Sequence, residues 1–329
     1  MDPEGRRSRP LAPAIAVKAF AVFVAACVTL ALVGAARASD GPLRAMRWLA
    51  PHADRVRALS TRPVECLAKP TDPDEAYRVE IGRAAFRTPL TLGGQAARAG
   101  VACETCHKGG RTNPDFDFPG VSGAPGTADV TSSLFSSHRG DGIDNPKPIP
   151  DLGGPKDRLK VSQARPGGAL ESFIHGLVTQ EFDGPEPSPA TLAGLAAYVR
   201  ALSPAACPKA AVEAVRAEAY LEDARRAVRT ASQALARGDW PTAALMLGSA
   251  RSQLGLLYER YAARSLAGDR DSLMGADRQL ASDAAAVRLG DPRAGSRLAA
   301  WLVLSRSWGA RLVRDEPRSL FNPAMIAAL

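Results

Sequence analysis

The sequence Cys103-Glu104-Thr105-Cys106-His107 decides how the middle of the chain is interpreted. Two cysteines three positions apart lie on one face of a helical turn, where both thiols can reach the vinyl groups of a haem and form thioethers. The histidine that follows directly is then placed to bind the iron from one side of the ring. The motif therefore predicts one covalently attached haem c on Cys103, Cys106 and His107.

The C-x-x-C part of this motif has two other common uses. It occurs in thioredoxin-type redox pairs and as half of a zinc site, and neither use needs the adjacent His107. The sequence contains no second C-x-x-C, and no alternation of strands and helices surrounds the first one. Haem attachment is therefore the interpretation that the motif favours.

The first forty residues have the features of an export signal. They combine a basic start, an apolar core from about Ala19 to Val33, and the small-residue site Ala36-Arg37-Ala38. Residues 1–38 are therefore predicted to direct export to the periplasm, with cleavage after Ala38. An N-terminal anchor in the inner membrane is the alternative, because Leu11 to Ala36 together are just long enough to cross a bilayer. Contact with a membrane is expected only in that case.

The overall composition limits the classes of partner. The 329 residues are 46% hydrophobic, which is enough for two ordinary domains and argues against a disordered chain. The formal net charge of +8 is spread along the chain, and no dense run of Lys and Arg is interleaved with aromatic residues. We therefore expect no nucleic-acid partner, whereas docking to redox partner proteins fits this mild positive charge.

Two capped helices enclose a long segment without periodicity. The first helix is predicted from Asp72 to Phe86, with Asp72 or Asp74 as its cap and Pro73 in its first turn. The second is predicted from about Pro189 to Leu202, with Ser188 as its cap. Residues 88–168 between them are rich in Gly and Pro. A loop of this length argues against a compact domain unless an apolar group such as haem supplies part of the core.

The last third of the chain changes in composition after Pro208, to Ala, Arg and Leu with apolar residues at helical spacing. Three pairs, Gly238-Asp239, Gly268-Asp269 and Gly290-Asp291, predict helix breaks, because glycine ends one helix and aspartate caps the next. Three breaks imply four helices. Residues 208–329 are therefore predicted to form a four-helix-bundle-like domain, and since it has no haem motif we expect an interaction module.

The segments around the haem motif occur in the order found in cytochrome c domains. Ile81–Phe86 precedes the motif, Pro148–Leu152 follows it, and Leu195–Leu202 lies near the end. On these segments and the motif, residues 72–207 resemble a c-type cytochrome, in particular the second haem domain of bacterial di-haem cytochrome c peroxidases. The resemblance implies that the first and last helices cross in contact. The implied contacts join Gly82 and Phe86 to Leu195 and Tyr198.

The resemblance also places two further cysteines near each other. Cys66 lies just before the first helix and Cys207 just after the last one, so the crossing of these helices implies that the two are neighbours. In an oxidising compartment such a pair is expected to form a disulfide. Two unpaired thiols are the alternative.

The sixth iron ligand also follows from the resemblance. In the resembled family a methionine that precedes a glycine binds the iron, and His175-Gly176 occupies that place here. The methionines after the leader all lie outside the predicted haem domain: Met46, Met246, Met274 and Met325. The resemblance therefore implies that His175 binds the iron opposite His107, which lowers the reduction potential relative to a methionine ligand. His138, His52, a distant methionine and an open iron are the alternatives.

Calcium is a second candidate cofactor, as in the resembled peroxidases. Oxygen-bearing side chains alternate at Asn113, Asp115 and Asp117, and others follow at Asp141, Asp144 and Asn145. Such residues also form turns without any metal. The sequence alone leaves both interpretations open.

The predicted protein is all-α, with an extension at residues 39–71, a cytochrome c domain at 72–207 and the bundle-like domain at 208–329. Within the extension, Leu43–Leu59 is expected to form one amphipathic helix. The predicted function is electron transfer by an exported mono-haem c-type cytochrome. A cytochrome c peroxidase-like oxidoreductase is the first alternative, although a di-haem peroxidase needs a second attachment motif. A haem-based sensor or assembly protein is the other.

Overall fold

The computed structural model describes residues 41–131, 134–137, 142–207 and 212–329. It has 61% helix and 5% strand, which confirms the predicted all-α class. Gly41–Leu329 forms one compact unit. Among the described residues, no helix combines the length and the apolar composition that crossing a bilayer requires. The predicted export signal, residues 1–38, lies outside the described residues.

The helices fall into two groups along the chain. The first group comprises α1 (Arg55–Ser60), α2 (Pro73–Phe86), α3 (Gly94–Ala99), α4 (Cys103–Cys106), α5 (Ala169–Gly176) and α6 (Pro189–Ala201). The second group comprises α7 (Ala217–Ala236), α8 (Trp240–Arg260), α9 (Ala267–Arg288), α10 (Ala294–Asp315) and α11 (Pro323–Ala327). Short 3-10 helices lie at Arg44–Trp48, Pro89–Thr91, Lys108–Gly110, Lys156–Arg158, Pro204–Ala206, Arg264–Leu266 and Glu316–Arg318. A π-helical turn, Leu177–Glu181, directly follows α5.

Four short strands in the described part of the chain form two antiparallel pairs. Strand β1 (Thr61–Pro63) pairs with β4 (Val212–Ala214), so that Thr61 lies opposite Ala214. Strand β2 (Thr127–Ala128) pairs with β3 (Lys147–Pro148) in the long segment after α4. The first pair joins the N-terminal extension to the chain that leads into α7.

Helices α2 and α6 begin at predicted caps, and of the two candidates for α2 the cap is Asp72 and not Asp74. The Asp72 carboxylate accepts a hydrogen bond from the Glu75 N–H at 3.0 Å, and the Ser188 hydroxyl accepts one from the Thr191 N–H at 3.1 Å. Each cap satisfies a backbone donor that the first turn of a helix leaves without a partner. Local sequence signals therefore fix where both helices start.

Helices α2 and α6 also cross in contact, as the resemblance implied. Their backbones meet at Gly82, where an added Cβ atom would lie 2.8 Å from the backbone nitrogen of Leu195. One helical turn further on, the rings of Phe86 and Tyr198 pack with their centroids 5.0 Å apart. The predicted contacts are thus confirmed.

In the second group, each of the helices α7 to α10 packs against the next, and α10 packs against α7. The breaks at Gly238 and Gly290 are confirmed, since both glycines have a positive φ, of 72° and 69°. The break at Gly268-Asp269 is wrong, because these residues lie in the first turn of α9 and the break falls earlier, at Arg264–Leu266. The Asp269 carboxylate pairs with Arg311 at 3.0 Å instead of capping a helix.

The extension differs from the predicted single helix. A 3-10 helix at Arg44–Trp48 and the separate helix α1 replace it. Pro51 lies between them, and a proline within a helix removes a backbone donor and clashes with the preceding turn. The Asp54 carboxylate then starts α1 by accepting a hydrogen bond from the Arg57 N–H at 3.0 Å.

The second helical group packs directly against α2. Helices α7 and α8 both contact α2. The Ser249 hydroxyl on α8 donates to the Ala84 carbonyl at 2.8 Å, and the Thr88 and Ser252 hydroxyls lie 3.1 Å apart. The region that contains the haem motif and the C-terminal helices therefore share a buried boundary within one compact unit.

Candidate functional site

The haem motif occupies a single helical turn followed by a sharp reversal of the chain. The Ala102 N–H donates to the Thr105 hydroxyl at 3.0 Å, which closes the start of α4. Gly109 and Gly110 follow with φ of 64° and 71°, a conformation that residues with a side chain rarely adopt. A Cβ atom on Gly109 would lie 2.6 Å from the Pro63 carbonyl oxygen. The glycines therefore let the motif pack closely on β1.

The thiols of Cys103 and Cys106 lie half-buried in apolar surroundings and form no disulfide. Cys103 lies where two apolar clusters meet, one containing Leu152 and the other containing Ile149. Burial raises the pKa of both thiols from 9.0 to about 12. Because redox-active C-x-x-C pairs have lowered thiol pKa values, this environment does not favour thioredoxin-type chemistry.

The imidazole of His107 is oriented by the backbone. Its Nδ1 lies 3.0 Å from the Pro150 carbonyl oxygen, which can only accept, so Nδ1 carries the proton. Burial lowers the pKa of His107 from 6.5 to about 4, although the Pro150 carbonyl and the Asp151 carboxylate both act to raise it. The ring is therefore neutral, and its Nε2 keeps a lone pair that can bind a metal.

An ion pair clamps the segment that orients His107. Arg111, which follows the motif, binds both carboxylate oxygens of Asp151, with 2.6 Å from Nε to Oδ1 and 2.6 Å from Nη2 to Oδ2. The Gly153 N–H also donates to the Gly110 carbonyl at 3.1 Å. Because Asp151 directly follows Pro150, these contacts hold the carbonyl acceptor against the histidine.

The cysteines of the predicted disulfide are neighbours in the structure. Cys66 and Cys207 are close enough for a hydrogen bond between their thiols, and no covalent bond joins them. Burial, together with Cys66, raises the pKa of the Cys207 thiol to about 11. Arg111 Nη1 lies 3.8 Å from the Cys66 Sγ. The disulfide itself stays a prediction.

The candidate sixth ligands are placed differently from one another. His175 lies on α5, where its Nε2 is 2.9 Å from each carboxylate oxygen of Glu186. These contacts direct the ring towards Glu186. His52 is exposed in the turn before α1. His138 lies outside the described residues. The identity of the sixth ligand therefore stays a prediction.

Two of the candidate calcium residues, Asn113 and Asp115, have protein partners in the described part of the chain. The Asn113 side chain donates to the Thr105 carbonyl at 2.9 Å and accepts from the Asp115 N–H at 3.3 Å. The Asp115 carboxylate pairs with Arg57 at 2.8 Å. Asp141 lies outside the described residues. Among those described, no group of three or more His, Cys, Asp or Glu side chains is placed to hold a metal ion.

A buried ion-pair network lies next to the motif and was not predicted from the sequence. Arg83 Nη2 and Arg87 Nη2 bind the Glu65 carboxylate at 2.7 and 2.8 Å. Both guanidinium groups also bind Asp223 on α7, where Arg83 Nη1 lies 2.6 Å from Oδ1. The Tyr198 hydroxyl donates to Glu65 at 2.7 Å. The network thus joins α2, α6, α7 and the segment before Cys66.

The signal for this network was weak in the sequence. Arg83 lies in the last turn of α2 and Arg87 is the residue that ends this helix, so the two are one turn apart on the same side. Asp223 lies among the apolar positions of α7. Such a pattern identifies buried charges only after the partner helices are known, since Arg83 and Asp223 are 140 residues apart. Of the side chains in the network, Glu65 has its pKa lowered to about 2: burial opposes this, but Arg87 and Arg83 outweigh it.

No protein-family model, no characterised protein and no solved structure matches this chain. The site is therefore interpreted from its own geometry. It consists of two half-buried thiols, a neutral histidine with an oriented ring, apolar surroundings and an adjacent ion-pair network.

Proposed function

We propose that residues 72–207 form a cytochrome c domain with one haem c, held by Cys103, Cys106 and His107, and that the exported protein transfers electrons in the periplasm. The observation that carries the proposal is the hydrogen bond between His107 Nδ1 and the Pro150 carbonyl. It leaves Nε2 of a neutral imidazole available as an axial ligand, directly after two cysteines spaced for thioethers. Bound haem supplies one-electron chemistry at this site.

The surroundings of the motif support the proposal. Cys103 packs against both apolar clusters, which contain Leu152, Ile174 and Ile149. A haem needs such apolar surface around it, because the macrocycle is itself largely apolar. The crossing of α2 and α6 is also the arrangement that the resemblance to cytochromes c implies.

The C-terminal helices α7 to α10 fit a four-helix bundle, which we propose to be an interaction module for redox partner proteins. Their closed order of contacts is the arrangement expected for such a bundle. Asp223 on α7 reaches the network beside the haem motif. Through this contact, the bundle is mechanically joined to the proposed redox site.

One observation favours a second candidate, a peroxidase-like oxidoreductase. The His175 Nε2 is bound to Glu186, and a histidine that kept this partner would not bind the iron, so the sixth position of a bound haem would be open. An open position permits peroxide to reach the iron, whereas two histidine ligands limit the site to electron transfer. The state of His175 in the matured protein therefore separates the two functions.

Optical and electron paramagnetic resonance spectra of the matured protein test the proposal. For electron transfer with two histidine ligands, we expect a low-spin haem that is unaffected by peroxide and that becomes high-spin in a His175→Ala variant. His52→Ala, which removes an exposed histidine, is the matched control and is expected to keep the wild-type spectrum. A native haem that is high-spin and reacts quickly with peroxide contradicts electron transfer and supports the peroxidase-like function.

A further inference from the structure

A cavity of about 160 Å³ lies behind the haem motif. Its walls come from the extension, from Glu104 and Lys108 of the motif, from Arg87, and from Asp223 and Arg260 of the C-terminal helices. The cavity is partly open to solvent, and its volume is sufficient for several water molecules. It lies on the side of α4 that carries Glu104.

Two buried polar atoms at this cavity have no hydrogen-bond partner among the described residues. They are the Nε of Arg87 and the Oε2 of Glu104, which lie 3.9 Å apart. This separation is too long for a direct hydrogen bond but allows one water molecule to contact both atoms. Arg87 is only 7% exposed, so its unpaired N–H has few ways to reach bulk water other than through the cavity.

Among the described residues, the nearest cation to the Glu104 carboxylate is Arg87, at 3.9 Å, and Glu104 shares it with Glu65 and Asp223. In the adjacent network, Glu65 and Asp223 balance Arg83 and Arg87. The Glu104 Oε1 accepts from the Gly109 N–H at 3.0 Å. Burial raises the pKa of Glu104, although Arg87, the Gly109 N–H and Arg62 oppose this and Glu65 adds to it.

The other charged groups at the cavity are already engaged. Lys108 donates from Nζ to the Ala58 and Thr61 carbonyls at 2.6 and 2.9 Å, and burial lowers its pKa to about 8. Arg260 donates to the Leu59 and Leu320 carbonyls. The remaining charged groups of the lining form separate pairs: Arg62 with Glu213, Arg44 with Glu259, and Asp115 with Arg57.

We propose that Glu104 is a redox-linked proton site, which takes up a proton from the cavity water when the protein accepts an electron and releases it when the electron leaves. This inference rests on the proposed function. One electron arrives from a one-electron donor and one proton from solvent, and the only bond that forms is the O–H bond on the Glu104 carboxyl. Reduction removes one positive charge from the site between Cys103 and His107, which disfavours a nearby carboxylate relative to its neutral acid.

The test is the reduction potential of the matured full-length protein as a function of pH, measured by spectroelectrochemistry. We expect the wild-type potential to fall as pH rises across the range in which Glu104 ionises. One proton for each electron corresponds to about 59 mV for each tenfold change in proton activity. In the Glu104→Gln variant, the reduction potential is expected to lose this dependence on pH. Glu218→Gln, which removes an exposed carboxylate on α7, is the matched control and is expected to keep it.

The outcomes separate the two proposals. Absence of a covalent haem in the wild type overturns the proposed function. A haem protein in which wild type and Glu104→Gln have the same pH dependence overturns only the proton site. If Glu104→Gln does not mature, redox-difference infrared spectra of the wild type and Glu104→Asp give a second readout. A carboxylic acid band that appears on reduction and shifts in Glu104→Asp supports the proposal, and its absence in the wild type overturns it.

Discussion

Gly82 of α2 lies against Gly194 of α6 so closely that a Cβ atom on Gly82 would be 1.9 Å from the Gly194 carbonyl oxygen. No side chain fits in that space without displacing one of the two helices. The contact fixes the crossing of α2 and α6, on which Phe86 and Tyr198 also pack. The position of the haem motif relative to both helices depends on this crossing.

Gly82→Ala is therefore expected to destabilise the protein by about 1–3 kcal/mol or more, since overpacking forces the backbones apart. Gly275→Ala is the matched control, because Gly275 is also within a helix but has nothing within 4 Å of an added Cβ. Alanine is the better helix former, so this control is expected to stabilise by about 0.5–1 kcal/mol. Urea unfolding measures both changes. Equal effects of the two substitutions contradict the close helix crossing.

The buried network predicts that two aspartate substitutions will lower the free energy of unfolding by unequal amounts. Asp223→Asn removes the carboxylate that binds both Arg83 and Arg87, and breaking such a buried pair costs about 3–5 kcal/mol. Asp277→Asn removes the partner of Arg251 at the surface, which is worth at most about 1 kcal/mol. Unfolding free energies in urea compare the two. A similar small loss in both variants argues that α7 is not joined to α2 through the network.

Glu65 gives the network a defined pH dependence. Arg87 and Arg83 outweigh the effect of burial and hold the pKa of Glu65 at about 2, below its ordinary value of 4.5. Because the pKa of Glu65 is lowered, its ionised carboxylate adds about 3 kcal/mol to the free energy of unfolding. This stabilisation is fully present above pH 4.5 and is lost as the pH falls towards 2.

The measurement is the difference in unfolding free energy between wild type and Glu65→Gln at a series of pH values. We expect this difference to shrink as pH falls through that range, because wild-type Glu65 becomes neutral like glutamine. A difference that stays constant with pH shows that the carboxylate charge of Glu65 does not stabilise the fold.

The adjacent thiols of Cys66 and Cys207 predict a disulfide when the protein is produced in an oxidising compartment. Thiol titration under denaturing conditions is expected to find neither thiol until a reductant is added. A Cys66→Ser/Cys207→Ser variant should lose about 2–4 kcal/mol of stability relative to the oxidised wild type. Two reactive thiols in protein isolated without a reductant contradict the pairing.

The parts of the fold that local signals specify could be predicted from the sequence. Asp72 and Ser188 cap α2 and α6 as expected, because an N-cap acts within one helical turn. The Gly268-Asp269 pair shows the limit of such signals, since the same dipeptide lies inside the first turn of α9. The prediction of a single helix in the extension is wrong because Pro51 interrupts that segment.

The parts of the site that depend on distant contacts could not be predicted. The sequence motif made Cys103, Cys106 and His107 the candidate haem-binding residues, but no sequence pattern predicted that the Pro150 carbonyl would orient the histidine. The pairing of His175 with Glu186 depends on how α5 meets the segment before α6. Arg83 and Asp223 meet only because α7 packs on α2. These contacts follow from tertiary packing, which a local pattern does not encode.

Mass spectrometry of the matured protein under denaturing conditions tests the central claim most directly. The protein is produced together with a c-type haem maturation system, and the claim predicts one haem per chain that survives denaturation and maps to the peptide containing Cys103 and Cys106. The Cys66→Ser/Cys207→Ser variant should keep this haem, and Cys103→Ser/Cys106→Ser should lose it. A wild-type chain without covalent haem, or a Cys103→Ser/Cys106→Ser variant that still carries it, contradicts the claim.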